Sequence, residues 1–147
     1  MKDLNLLLGT AIAIVADAFE SDLDKGGKPY VLHCLAVMDG VRTLGVVHQI
    51  VAVMHDLPED KKEWTFKRLY KEGFTADIIN ALDCLTHRKG EEYDEYIIRA
   101  GSNPISREVK MSDLRHNTDI TRLKGVGPKD LLRMEKYHKA YLYLESL

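Results

Sequence analysis

The chain is 147 residues long, enough for one domain that buries a core without covalent staples. Its apolar share of 45% and charged share of 30% are those of an ordinary globular protein. Lys and Arg total 21 against 23 Asp and Glu, a formal charge of -2, so there is no basic field of the kind that holds duplex nucleic acid.

The first element is an uncharged run, Leu4 to Ala16, lying between Asp3 and Asp17. It is shorter than the roughly 20 residues a bilayer-spanning helix needs, and it lacks the basic start of a secretory signal. Leu4, Leu7, Leu8, Ala11, Val15, Ala18 and Phe19 recur at three- and four-residue steps. That spacing predicts an amphipathic helix from about Asp3 to Glu20, and a cytoplasmic protein without membrane association. A loop from Ser21 to Lys28 carries Gly26 and Gly27, and Pro29 suits the first turn of a second helix running from Tyr30 to about Thr43. After Gly45, a third helix from Val46 to His55 is apolar on most faces, which predicts a central position in a bundle.

A short helix is expected after Trp64-Thr65, ending at Gly73, and Thr75 caps the next, which carries Ile78, Ile79, Leu82 and Leu85. Glu91 to Arg99 reads as a largely solvated helix. Asn103-Pro104 opens another, through Val109, Met111 and Leu114. Gly125, Gly127 and Pro128 precede a final amphipathic helix, Lys129 to about Leu144. No strand-like alternation, repeat or linker is present, so the expected fold is a single all-α bundle of about seven or eight helices over residues 1–147. Cys34 and Cys84 form no CxxC pair and are expected as free thiols in a reducing compartment.

Chemistry concentrates at His55-Asp56, at the end of the apolar third helix. Neighbouring antiparallel helices would bring the start of one beside the end of the next, so His33 can meet His55, while Asp113 arrives only through the fold. Two imidazoles and two carboxylates form a mixed nitrogen–oxygen shell suited to one divalent ion such as Mn²⁺, Fe²⁺, Zn²⁺ or Co²⁺; without thiolates it is not a structural zinc set. Glu59 and Asp60 follow directly, where carboxylates can take a proton from an acidified water. The alternative is an acidic helix start answering a helix dipole. His48, His87, His116 and His138, taken singly, read as ordinary hydrogen-bonded residues.

Three stretches carry a family resemblance. Gly27-Lys28-Pro29-Tyr30-Val31-Leu32-His33 resembles G-x-P-Y-x-x-H, Val53-Met54-His55-Asp56-Leu57-Pro58-Glu59-Asp60 resembles L-L-H-D-x-x-E-D, and Val109-Lys110-Met111-Ser112-Asp113-Leu114-Arg115-His116-Asn117 resembles V-K-L-A-D-R-L-H-N. These are motifs of the HD-type hydrolase domain of the RelA/SpoT enzymes of the stringent response and their small stand-alone relatives. Leu85-Thr86 falls where that family has V-T-K. The resemblance implies metal ligation by His33, His55, Asp56 and Asp113, usually to manganese, with Glu59 and Asp60 activating water. It implies hydrolysis of guanosine 3′,5′-bis(diphosphate) with release of pyrophosphate, and contact of Asn117, Lys110 and Tyr30 with the nucleotide substrate. Lys25, Lys28, Arg88 and Arg115 are candidates to neutralise its phosphates.

Two departures stand out. Asp24 occupies the position, nine before His33, where the family commonly has a basic residue, and Arg and Leu are exchanged after Asp113. An HD phosphatase acting on a nucleoside monophosphate, or a silent nucleotide-binding module, are the rival expectations. At this length no synthetase or regulatory segment is expected, and the oligomeric state is left open, a homo-oligomer included.

Overall fold

In the computed structural model, which describes residues 3–147, the chain enters its first helix through Asp3, whose carboxylate accepts the N–H groups of Asn5 and Leu6 at 2.8 and 3.3 Å. Helix α1, Leu4–Ala18, buries Leu7, Ala11 and Val15 and exposes the opposite face. It ends before the expected Glu20 because the chain turns at Phe19, which is itself buried. Helices α2 (Val31–Asp39), α3 (Val46–Val53), α4 (Leu57–Asp60, a single turn), α5 (Phe66–Lys71), α6 (Ala76–Leu85), α7 (Tyr93–Gly101), α8 (Pro104–Asn117) and α9 (Pro128–Glu145) follow. Setting the single turn of α4 aside, the count is eight, within the sequence expectation. There is no sheet among the described residues, and no helix among them is long and apolar enough to cross a membrane.

Helix α3 is the axis of this single bundle. Ile50, Val51, Ala52 and Val53 are all without solvent contact, because α1, α2, α6 and α8 surround the helix. A second, smaller apolar cluster, including Tyr96, Ile97, Met111, Leu114 and Leu144, seats α9 on α7 and α8. Glu91 to Arg99 is thus less solvated than its composition suggests: the helix begins at Tyr93 and buries Tyr96, Ile97 and Ala100. Asn103 caps α8 as expected, accepting from Ile105 and Ser106 at 2.9 and 3.0 Å, whereas Thr75 occupies the cap position of α6 without a side-chain bond. Both thiols are free, Cys34 buried and Cys84 half-buried.

Two features of the backbone position the site. The first is that α3 stops at Val53, two residues short of His55. Pro58 has no N–H, and its ring would meet the carbonyl four residues back, so the helix cannot run on through it. The Ala52 carbonyl, which a continuing helix would offer to Asp56, instead accepts His55 Nδ1 at 2.7 Å. His55 and Asp56 therefore lie in a turn between α3 and α4, not on a helix face.

The second is the close approach of α8 to the end of α2. A Cβ at Gly40 would collide with the Oγ of Ser112 and lie 3.2 Å from its Cβ, and that buried Oγ donates to the Val37 carbonyl at 2.9 Å. Gly40 has an ordinary helical φ of -63°, so space and not backbone freedom demands glycine here. Gly40→Ala is expected to cost about 1–3 kcal/mol by overpacking, read as a lower urea midpoint. The loss should shrink in a Ser112→Ala background, where the colliding oxygen is gone.

Candidate functional site

His33 comes from the first turn of α2, His55 and Asp56 from the turn before α4, and Asp113 from the middle of α8. His33, His55 and Asp113 are 2%, 3% and 4% exposed, so three polar groups have been drawn fully into the interior. His33 Nε2 lies 3.0 Å from Asp113 Oδ1 and 3.8 Å from Asp56 Oδ2. His55 Nε2 lies 3.1 Å from Asp56 Oδ2 and 3.3 Å from Asp113 Oδ1. Ligands of one cation with bonds of roughly 2.0–2.2 Å sit about 3 Å apart, which is the spacing found here. Ligand atoms of His33, His55 and Asp56 all fall within 4.8 Å of one another, a group that could hold a metal ion. Asp113 lies outside that mutually close set but touches both imidazoles through Oδ1.

The protonation of the imidazoles points the same way. His55 Nδ1 faces a carbonyl, an acceptor only, so Nδ1 carries a proton and neutral His55 has its lone pair on Nε2. Nε2 is buried and without a hydrogen-bond partner of adequate geometry, although two carboxylate oxygens lie within 3.3 Å. A lone pair directed at two carboxylates is repulsive unless a proton or a cation stands between them. Burial opposes a charge on His55, but Asp56 and Asp113 overcome it and hold the imidazole well above the ordinary histidine range. A metal cation would take the place of that proton.

Each of these groups is held by a further side chain. The hydroxyl of Tyr30 donates to Asp56 Oδ2, and its ring packs on Phe19 with centroids 5.1 Å apart. Lys110 Nζ donates to Asp113 Oδ2 at 2.8 Å and lies 5.0 Å from the centre of the Tyr96 ring. Asn117 Nδ2 donates to Asp113 Oδ1 at 2.9 Å. Burial disfavours the Asp113 charge, yet Lys110 and His55 outweigh it and keep the carboxyl well below its usual range.

His33 Nδ1 lies 2.7 Å from His116 Nδ1, so one ring must donate and the other accept. With the proton on its own Nδ1, His33 donates to His116 and turns the lone pair of Nε2 toward the cluster, as a metal-binding histidine must. His116 is thus hydrogen-bonded, as the sequence reading has it, but its partner is one of the candidate ligands. Its place beside Asn117 in the third motif was the available signal.

Beside the cluster lies a cavity of about 290 Å³, lined among others by Lys25, Tyr30, His33, Asn117, Arg122, Arg133 and Tyr137. Of the residues expected to meet a substrate, Lys25, Tyr30 and Asn117 line it; Lys28 is exposed and outside the lining, and Lys110 is turned to Asp113. Arg122, Arg133 and Tyr137 were not singled out in the sequence, although Arg133 and Tyr137 share one face of α9. Asp24 also lines the cavity, but both its oxygens are engaged within the protein: Oδ1 accepts the N–H groups of Gly26 and Lys28, both at 2.9 Å, and Oδ2 accepts Arg122 at 3.1 Å. Gly26 has no room for a side chain, because a Cβ would strike the Arg122 carbonyl. Glu59 Oε1 accepts the backbone N–H of His87 at 2.7 Å. Asp60 borders a second, more open cavity with Phe19, Asp22 and Tyr30; burial, Asp56 and Glu59 push its carboxyl up to about 6.

No family model matches the chain. It is similar to a guanosine-3′,5′-bis(diphosphate) 3′-pyrophosphohydrolase of Haemophilus influenzae, 29% identical over an alignment of 136 residues, with 84% of this chain and 20% of that protein covered. It is similar also to a probable GTP pyrophosphokinase of Mycobacterium leprae, 29% identical over an alignment of 128 residues, with 76% of this chain and 16% of that protein covered. The chain thus spans a fifth or less of the length of these curated relatives.

The Lys110–Asp113 pair gives a test that needs no ligand. Lys110→Met fills the same space but leaves a buried carboxylate oxygen without its cation. Removing one partner of a buried pair costs about 3–5 kcal/mol, so the midpoint of urea unfolding at neutral pH is expected to fall by that equivalent.

Proposed function

We propose that the chain is a metal-dependent phosphohydrolase of the HD type, acting as one domain over residues 1–147 in the cytoplasm. Its substrate is a nucleotide pyrophosphate, with guanosine 3′,5′-bis(diphosphate) the assigned compound and pyrophosphate the product. The observation that carries this reading is the convergence of His33, His55, Asp56 and Asp113, with the buried Nε2 of His55 turned toward two carboxylates and no hydrogen-bond partner. The names of the two relatives, one a hydrolase of guanosine 3′,5′-bis(diphosphate) and one a probable GTP pyrophosphokinase, support a guanine nucleotide as the substrate class. Two further carboxylates beside the cluster, Glu59 and Asp60, favour attack by water over transfer to another nucleotide.

His33, His55, Asp56 and Asp113 would hold the ion, Mn²⁺ in the first instance; Fe²⁺, Zn²⁺ and Co²⁺ suit the same donor set. Bound there, it supplies Lewis acidity, lowering the pKa of a water toward about 7 and offsetting phosphate charge. Glu59 and Asp60 accept the proton of the attacking water, Asp60 being poised near neutrality at about 6. The Tyr30 hydroxyl fixes the rotamer of Asp56, and Lys110 and Asn117 fix that of Asp113. Lys25, Asn117, Arg133 and Tyr137 face the cavity in which the nucleotide would lie.

Incubation of the purified protein with Mn²⁺ and a nucleotide panel is expected to release pyrophosphate from guanosine 3′,5′-bis(diphosphate), and Asp56→Ala to abolish turnover while the helical circular dichroism persists. Orthophosphate release from a nucleoside monophosphate would replace the substrate. Pyrophosphoryl transfer between ATP and GTP would reverse the reaction class, and tight binding without product would reduce the protein to a binding module.

Ion binding is testable without a substrate. At free Mn²⁺ about a hundredfold above Kd, binding contributes about 2.7 kcal/mol, a rise in Tm of roughly 5–10 °C for a chain of this size. Asp113→Ala should remove that rise.

A further inference from the structure

The loop joining α6 to α7, residues 86–92, carries His87, Arg88 and Lys89 and has no apolar anchor of its own. It is tied instead to α7 by two side chains one turn apart. The Arg99 guanidinium grips Glu91 with two bonds, Nε to Oε2 at 2.9 Å and Nη2 to Oε1 at 2.8 Å. It also donates to the carbonyls of Thr86 at 2.7 Å and Asp83 at 2.5 Å. Tyr96 donates its hydroxyl to the Leu85 carbonyl at 2.8 Å and meets the His87 ring edge-on at 5.3 Å. Glu91 Oε1 further accepts the Arg88 N–H at 3.1 Å. Arg99 and Glu91 are only 16% and 12% exposed, and the bonds from Arg99 hold the Glu91 carboxyl down at about 2, so the pair stays charged through the neutral and mildly acidic range.

From this fixed loop one backbone group reaches across to another part of the fold: the His87 N–H donates to Glu59 Oε1 at 2.7 Å. Glu59 lies on a four-residue helix and, as a long side chain, gives up rotamer freedom when ordered. Among the described residues no protein donor reaches its Oε2, so the His87 amide is what selects the carboxylate position. An amide can do so only if its own loop is held still.

We propose that Arg99, through Glu91 and the carbonyls of Asp83 and Thr86, is a positioning residue for Glu59: it fixes the His87 amide that orients the Glu59 carboxylate. The positioning itself is independent of any substrate. Its bearing on turnover rests on the phosphohydrolase reading above, in which Glu59 accepts a proton.

The test uses Arg99→Lys, which keeps the charge but cannot make a bidentate grip and reach two carbonyls, and Glu91→Gln, which weakens the grip from the other side. Thermal unfolding first establishes that each variant is folded; if one is not, the other serves. The His87 amide is followed by NMR chemical shift and hydrogen exchange, with Glu59→Gln as the reference for a weakened acceptor. In either loop variant the His87 amide resonance is expected to move in the direction seen in Glu59→Gln and to lose protection, while Mn²⁺ affinity by calorimetry is unchanged. An unmoved, still protected His87 amide overturns the proposal. If the wild type turns over the assigned substrate, kcat of Arg99→Lys should fall by about a hundredfold with KM little changed; a wild-type kcat with a loosened amide overturns the link to catalysis. Amide changes as expected in a protein with no turnover on any substrate would leave the positioning standing and sink the hydrolase reading alone.

Discussion

Asp113 is a buried carboxylate with four partners, and most of the molecule is arranged around keeping it charged. Oδ2 accepts Lys110 at 2.8 Å, while Oδ1 meets Asn117 at 2.9 Å, His33 at 3.0 Å and His55 at 3.3 Å. An ionised carboxylate without partners in such a place would be strongly destabilising. Lys110 and Asn117 come from its own helix, three residues before and four after, on the same face. The imidazoles come from α2 and from the turn after α3. Meeting them fixes the approach of three helices, and the Ser112 hydroxyl against Val37 beside Gly40 sets the same approach from the neighbouring residue. The cluster is therefore not an addition to a finished bundle; helix registration and site geometry are a single packing problem.

Outside this centre, an arginine holds each of two loops, one anchored also by Phe19 and Tyr30 at its ends and one with no apolar side chain of its own. Arg122 joins Asp24 to the His116 carbonyl, at 3.1 and 2.9 Å, closing the 19–30 loop over the end of α8. Arg99 does the same for the 86–92 loop. Both guanidinium groups divide their donors between one carboxylate and neutral oxygens, two backbone carbonyls for Arg99 and the His116 carbonyl and Asn117 Oδ1 for Arg122, a geometry that a planar fork supports and an ammonium does not. Both loops end beside catalytic candidates, Tyr30 and His33 in one case and Glu59 in the other.

How much of this could be read in the sequence follows from the kind of signal each feature leaves. The all-α class, the central place of the Val46–Val53 segment and the caps at Asn103-Pro104 rest on local periodicity and turn chemistry, and the bundle has them. The meeting of His33, His55, Asp56 and Asp113 was legible because three ordered motifs carried it, although no local rule brings Asp113 to the others. The end of α3 before His55 was missed: apolar periodicity runs on into Met54, while the break depends on Pro58 acting backward along the chain. Arg122 and Arg99, and the partner of His116, were missed for a different reason. Each bonds to a partner far away or to a backbone carbonyl, and a single histidine or arginine in a sequence does not announce such a partner. Asp24 shows the converse: read as a lost basic contact, it is a loop-closing acceptor whose cation, Arg122, comes from 98 residues further along.

The charge balance of the site bears on how it would take up a phosphorylated ligand. Asp56, Asp113, Glu59 and Asp60 lie close enough to act on one another, and two nearby cations are already bonded within the protein, Lys110 to Asp113 and Lys61 to Asp22. Around the cavity, Arg122 is paired with Asp24 and Arg133 with Asp130 at 2.6 Å, so both guanidinium charges are largely answered within the protein. The lining itself sets Lys25, Arg122 and Arg133 against Asp24 and Asp119, so what repels phosphate is the group of carboxylates beside the cavity. On the proposed reading, uptake of the nucleotide and activation of water then depend on the same ion, which must arrive before the substrate or with it. This gives the two histidines a role beyond ligation. With two neutral donors beside two carboxylates, a dication brings the shell to zero net charge, where a shell of four carboxylates would have stayed negative and gone on repelling phosphate.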